Sequence, residues 1–208
     1  MSPSMTRLSR RLLASALIFL LAACGGGSGK LPPLPPDAVV LAFGDSLTYG
    51  TGATPETSYP AQLSSMIGRK VIASGVPGEV SAAALARLPA VLDEVQPKLL
   101  ILCHGGNDIL RRLDERATAG NLRSMISLAK SRGIEVVLVG VPKPGLFLST
   151  ASWYEDIAKE TGLPYEPKAL ATILGDSELK ADLTHPNARG YAKLAEAIAQ
   201  LLKKTGAV

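Results

Sequence analysis

Ser46 stands in the stretch FGDSLTYG, directly after the apolar run Ala38-Val39-Val40-Leu41-Ala42. A serine hydroxyl attacks a carbonyl only when a base takes its proton and a third group orients that base. The chain has two histidines, His104 and His185. His185 lies in ADLTHPNARGY with Asp182 three residues ahead of it. In a tight loop that spacing folds the carboxylate back onto the imidazole, fixing its tautomer and stabilising the imidazolium. The negative charge of a tetrahedral intermediate also needs donors aimed at it. Three candidates are available: the Ser46 N–H at or near a helix start, the Gly78 N–H, which no side chain obstructs, and the Asn107 side-chain amide. Each of these has a plainer counterpart. Gly-Asp-Ser and Gly-Gly-Asn-Asp are both good turn composition, and an Asp three residues from a His is by itself an ordinary surface pair.

The choice depends on whether the fold can bring these residues to one place. Short β-type runs occur at Val39–Phe43, Lys70–Ala73, Leu99–Cys103 and Val136–Val141. Helical stretches separate them. One opens at Ser58-Tyr59-Pro60, with an N-cap candidate and a proline in its first turn, and runs to Gly68. A second begins at Ser81 and carries Leu85, Leu88, Leu92 and Val95 at three- and four-residue steps. A third stops at Gly133, and the last begins near Pro186 with Tyr191, Leu194, Ala195, Ile198 and Leu201 along one face. Strands that are apolar throughout and alternate with helices predict a parallel sheet covered on both sides, a three-layer α/β/α sandwich. Ligands collect at the carboxyl ends of such strands. The first strand runs into Gly44-Asp45-Ser46, the second into Gly75-Val76-Pro77-Gly78, and the third into Gly105-Gly106-Asn107-Asp108. All three loops are expected at one rim.

These stretches, taken together, resemble the SGNH (GDSL) hydrolase family in order and position. Its first block matches FGDSLTYG, its second ASGVPGEVS, its third GGND and its last DLTHPN, spanning residues 40–200. The likeness is nearest to the small bacterial thioesterase/lysophospholipase/arylesterase group, which SYPAQL and ALARLPAVL also resemble. It implies a flavodoxin-like sandwich with a central, mostly parallel sheet. It further implies a catalytic triad of Ser46, Asp182 and His185, with an oxyanion hole from Ser46, Gly78 and Asn107. The implied reaction is hydrolysis of a carboxylic ester, a thioester or a lysophospholipid through an acyl-enzyme on Ser46. Asp45 is expected to brace the turn and takes no chemical step. Two positions depart from the pattern. Ala73 stands where relatives often have Asn at the head of the second block, and His104 stands where many have a small or apolar residue. His104 is read either as lining the pocket or as hydrogen-bonding at the strand end.

The first 23 residues read as an export signal. RLSRR is basic and LLASALIFLLAA is apolar, but about a dozen apolar residues fall short of the roughly 20 that a membrane span needs. The run ends in LAAC followed by GGGSG, resembling the lipobox of bacterial lipoproteins, with Cys24 as the lipidated residue. Residues 24–37 then read as a Gly/Pro-rich tether and 38–208 as the hydrolase domain. The reading places the protein on the periplasmic side of a membrane, the outer membrane in preference. Cys103 would then be the one cysteine left beyond Cys24, and its apolar setting reads as a buried thiol.

Composition narrows the partners. The 22 basic residues include Arg7, Arg10 and Arg11 of the signal, which leaves 19 against 18 acidic residues. That near balance gives no footprint for nucleic acid. No His/Cys/carboxylate cluster has metal-ligand spacing, so neither a metal nor another cofactor is expected. The expected partners are a small ester or lipid substrate and the membrane that holds the anchor. Two rival readings use the same residues: a carbohydrate O-acetyl esterase, and a non-catalytic lipid-anchored binding module. Apolar bulk at Leu146, Phe147, Leu148, Trp153 and Tyr154 is expected either to line the acyl site or to pack its loop onto the core.

Overall fold

The computed structural model describes residues 29–145 and 147–208. The signal segment, Cys24 and Leu146 lie outside the described residues. Five parallel strands form the central sheet: β1 (Val39–Gly44), β2 (Lys70–Gly75), β3 (Leu99–Cys103), β4 (Glu135–Val139) and β7 (Tyr165–Glu166), in the order β2-β1-β3-β4-β7. Between β4 and β7, β5 (Pro142–Lys143) and β6 (Ser149–Thr150) make a small antiparallel pair. β1 and β3 are almost wholly buried. They must be apolar on both faces because helices cover both.

One face carries α2 (Tyr59–Ile67), α7 (Ala169–Gly175) and α8 (Ala188–Thr205), packed together. The other carries α3 (Ser81–Val95) and α5 (Glu115–Ser131), with α6 (Ser152–Thr161) beside α5. Two short helices, α1 (Ser46–Tyr49) and α4 (Gly106–Leu110), begin where β1 and β3 end. The chain leaves β1 toward β2 on one side and later returns to build β3 on the other. The crevice between β1 and β3 is thus the switch point at which open α/β sheets place ligands.

The elements read from sequence are present, with shifted ends. β2 continues to Gly75, two residues past Ala73, because its pairing with β1 runs on to Gly44↔Gly75. β4 stops at Val139, where Val141 was expected. The chain turns at Gly140 and Pro142 joins the antiparallel pair instead. A proline has no N–H to continue a parallel ladder. Tyr59, Tyr154 and Tyr191 are fully buried beside the sheet's leucines, and Cys103 is buried among them.

The proline-rich segment ahead of β1 is attached to the body. The Leu31 N–H donates to the Thr205 carbonyl (2.9 Å) and the Leu34 N–H to that of Ala207 (2.8 Å). Both leucine side chains are buried. The stretch read as a tether is therefore held against α8 and its C-terminal end from Leu31 onward.

Candidate active site

At the end of β1, Gly44 passes so close to its neighbours that a Cβ there would collide with the Cys103 carbonyl and the Thr48 hydroxyl. Only glycine fits, and it lets the chain swing Ser46 onto the rim. Asp45, buried, accepts the Leu47 N–H on Oδ1 (3.0 Å) and so caps α1. Burial pushes its carboxyl above the ordinary range. Its electrostatic interaction with the His104 ring, the Leu47 N–H, that with the His185 ring and the Asn107 amide all oppose that rise.

Ser46, His185 and Asp182 form one hydrogen-bonded chain. His185 Nε2 lies 2.9 Å from Ser46 Oγ, across 139 residues of sequence. Its Nδ1 lies 2.8 Å from Asp182 Oδ2 and 3.0 Å from Oδ1. The loop is closed on itself: the Ala181 N–H donates to the His185 carbonyl (2.9 Å) and the Asn187 N–H to that of Leu179 (2.9 Å). Asn187 then caps α8 by accepting the Gly190 N–H (3.0 Å). Asp182 also accepts the backbone N–H groups of Thr184 (2.7 Å) and His185 (2.9 Å). Partial burial would raise its carboxyl, but the His185 ring and these two N–H groups outweigh it and hold it at about 2. Asp182 is therefore ionised at neutral pH and accepts from Nδ1–H, leaving Nε2 to face the serine.

The three expected oxyanion donors line the same cleft. Gly78 has φ 77°, a left-handed conformation that glycine adopts without strain. Among the described residues, no hydrogen bond runs from the Ser46 or Gly78 backbone N–H to the rest of the chain. Asn107 Nδ2 donates one N–H to Asp45 Oδ2 (3.0 Å), which leaves its second N–H for the cleft. Asp45 thus does more than brace its own turn: it also orients the Asn107 amide.

Residues flanking Asn107 grip the Gly78 loop at three points. His104 Nε2 lies 3.3 Å from Glu79 Oε2, the Ser81 N–H and hydroxyl donate to the Asp108 carboxylate (2.8 and 2.6 Å), and Arg111 donates to the Gly78 carbonyl (2.8 Å). His104 Nδ1 accepts the Gly105 N–H (2.8 Å), so Nε2 carries the proton toward Glu79. Of the two readings of His104, the structure has the strand-end hydrogen bond; the side chain is fully buried and does not line the cleft. Glu79 is also bound by Arg87 through two bonds (2.9 and 2.8 Å), and Arg87 reaches the Ser74 hydroxyl (2.6 Å). Burial would raise the Glu79 carboxyl, but its bonds to His104 and Arg87 bring it to about 2. Ala73, beside this network, is exposed on the edge strand. The clasps on Gly78, Glu79 and Ser81 were missed in the sequence because their partners come from other segments of the chain.

The cleft holds about 280 Å³ and is mostly apolar, with Leu110, Val141, Leu148, Leu174 and Leu183 around Ser46. The expectation for the segment after the fourth strand is corrected in part. Leu148 lines the cleft and Phe147 is exposed beside it. Trp153 and Tyr154 do not line it: they are buried on α6, stacked 3.8 Å apart, and the Tyr154 hydroxyl bonds the His104 carbonyl (2.6 Å). Both sit at the start of a helix whose inner face packs on the core, a periodicity too short to read reliably from sequence.

Residues 42–193 match the GDSL-like lipase/acylhydrolase family. The chain belongs to that family. It is 32% identical to an arylesterase of Vibrio mimicus over 205 residues, covering 93% of this chain and 98% of the relative. It is 28% identical to thioesterase 1/protease 1/lysophospholipase L1 of Escherichia coli K12 over 172 residues, covering 79% of this chain and 83% of that one. The crystal structure of TesA superposes with a TM-score of 0.73 at 28% identity, covering 80% of this chain and 99% of that chain. The GDSL acylhydrolase is therefore an esterase of the SGNH type, with the parallel sheet and flanking helices of its structural neighbours.

Proposed function

We propose that the protein is a lipid-anchored serine esterase whose acyl-enzyme forms on Ser46. The observation that carries the reading is the continuous hydrogen-bonded line from Ser46 Oγ through His185 to Asp182. His185 Nε2 takes the serine proton as Oγ attacks the ester carbonyl, and Asp182 stabilises the imidazolium. The developing oxyanion meets the N–H groups of Ser46, Gly78 and Asn107. The tetrahedral adduct collapses, and the alcohol or thiol leaves with the proton from His185. A water molecule, deprotonated by the same imidazole, then releases the acid.

The apolar cleft favours a medium acyl chain or an aromatic ester, since each methylene withdrawn from water contributes about 0.8 kcal/mol. The relatives named for arylesterase, thioesterase and lysophospholipase activity support this range of substrates. A p-nitrophenyl ester series of increasing acyl length tests it, run beside an acyl-CoA and a lysophospholipid. kcat/KM is expected to rise from acetyl to medium chains. Strict acetyl preference would favour a carbohydrate O-acetyl esterase instead. A phosphonate ester should add its mass to Ser46, and labelling elsewhere would overturn the nucleophile.

The anchor rests on Cys24 and the segment that follows it. Two or more acyl chains there hold a protein on a membrane stably, and the outer membrane facing the periplasm is the proposed location. Cys24→Ala should abolish labelling with a radioactive fatty acid. Unlabelled parent protein in the soluble periplasmic fraction would refute the anchor.

A further inference from the structure

Seven large apolar side chains are exposed among the described residues, and their distribution is uneven. Met66 on α2 stands apart. The other six, Tyr49, Val76, Leu110, Leu113, Phe147 and Leu183, all lie on segments at the catalytic rim. Leu110 and Leu183 line the cleft, Phe147 adjoins Leu148 of its wall, and Val76 adjoins Pro77 of its wall. Tyr49 and Leu113 each fall within a turn or two of chain of Ser46 and Asn107. Phe147 and Leu183 are each 85% exposed, so neither packs against its own fold. Side chains of this kind gathered around one opening mark a surface that meets something apolar.

The occupant is decided by position and by charge. The patch rings the mouth through which substrate must pass, so a protein seated there permanently would close the site. A phase that itself holds the substrate would not. Within the patch, Arg111 and Arg112 stand between Leu110 and Leu113, both exposed; Arg111 is held on the Gly78 carbonyl (2.8 Å), and the Arg112 side chain takes part in no hydrogen bond or ion pair among the described residues. The acids nearby are engaged: Asp114 caps α5 (2.7 Å to the Ala117 N–H), Glu115 pairs with Lys143 (2.6 Å), and Asp182 holds His185. Within the patch, the charge left without a partner among the described residues is the Arg112 cation.

We propose that this rim is a docking surface for an anionic lipid aggregate. The six apolar side chains enter the acyl layer, and the Arg112 guanidinium meets the headgroups. Binding of this kind grows with buried apolar area and with attraction to anionic lipid. The patch is continuous with the cleft wall at Leu110, Leu148 and Leu183. A single acyl chain can therefore slide from the aggregate to Ser46 without crossing water. This rests on the esterase reading and adds to it the physical state in which substrate is presented.

The test compares parent protein with a Phe147→Ser/Leu113→Ser variant, both carrying the same N-terminus. Neither residue lines the cleft. On monomeric p-nitrophenyl butyrate the two should agree within about twofold. On lysophosphatidylglycerol micelles at subsaturating lipid, the variant should fall about tenfold. An Arg112→Gln variant should lose the preference for lysophosphatidylglycerol over zwitterionic lysophosphatidylcholine, at unchanged rate on the butyrate. Equal micellar rates for parent and double variant would overturn the docking surface. A fall of the same size on both substrates would overturn it too, since the residues would then be shaping the cleft. A parent that cleaves neither substrate would remove the esterase reading itself, an outcome distinct from either of these.

Discussion

His104 Nε2 lies 3.3 Å from Glu79 Oε2, which ties the residue three places before Asn107 to the residue just after Gly78. The two side-chain and backbone donors of the expected oxyanion hole come from different strand ends, and this contact is one of three that fix their separation. Donor placement matters steeply, since an error of about 1 Å can cost about 100-fold in rate. His104→Ala should lower kcat about tenfold with little change in KM, because the substrate does not touch the ring. His104→Gln, which keeps an N–H toward Glu79, should recover most of the loss. Steady-state kinetics on p-nitrophenyl butyrate decides it, and an unaltered kcat in His104→Ala would show the brace to be dispensable.

The Ser46–His185 contact makes a sharper demand. Ser46→Ala and His185→Ala should each abolish most turnover, and the double variant should be little worse than either, because triad members act as a unit. Independent, multiplying losses in single-turnover assays would contradict one hydrogen-bonded device.

Asn107→Ala should cost on the order of 10²–10³ in kcat, the scale of one oxyanion donor. Asp45→Ala removes the acceptor of both the Asn107 amide and the Leu47 N–H. It should therefore lower kcat less than Asn107→Ala does, while also lowering Tm. Leaving a buried donor unpaired costs about 1–3 kcal/mol. Activity loss without any thermal shift in Asp45→Ala would argue against its capping role.

Glu79 and Asp182 make stability depend on acid. Both carboxyls are held at about 2 in the folded chain, below the ordinary carboxylate range. In that interval the unfolded chain binds more protons, so their stabilisation is complete above about pH 4–5 and is lost as pH falls toward 2. Glu79→Gln should unfold more easily than the parent at neutral pH and lose less on acidification between about pH 4 and pH 2. Urea titrations at the two pH extremes measure both differences. Parallel stability curves for parent and variant would rule the contribution out.

How much of this was legible beforehand follows from the range of each interaction. Local rules sufficed for the strands of the core, since apolar runs such as Leu99–Cys103 have few alternatives once helical stretches flank them. For Ser46, Gly78, Asn107, Asp182 and His185 local rules gave only candidates, each with a plain turn or surface-pair reading, and the family resemblance of the four stretches in order was needed to choose among them. The Asp182–His185 pair is itself local, three residues apart and closed within one loop. The ends of β4 and the burial of Trp153 and Tyr154 were harder. There the periodic stretch was too short to separate a cleft wall from a core face, and tertiary packing chose the core. The grip of His104, Asp108 and Arg111 on Glu79, Ser81 and Gly78 was beyond reach. It joins segments 25 to 33 residues apart, across a strand order that reverses between β1 and β3. The sequence by itself determined which side chains are candidates for the chemistry and that a parallel sheet would present them at one edge. Only the tertiary structure decided their distances and their supporting contacts, because a hydrogen bond is made or lost within about 0.5 Å, a tolerance that residue spacing along a chain does not convey.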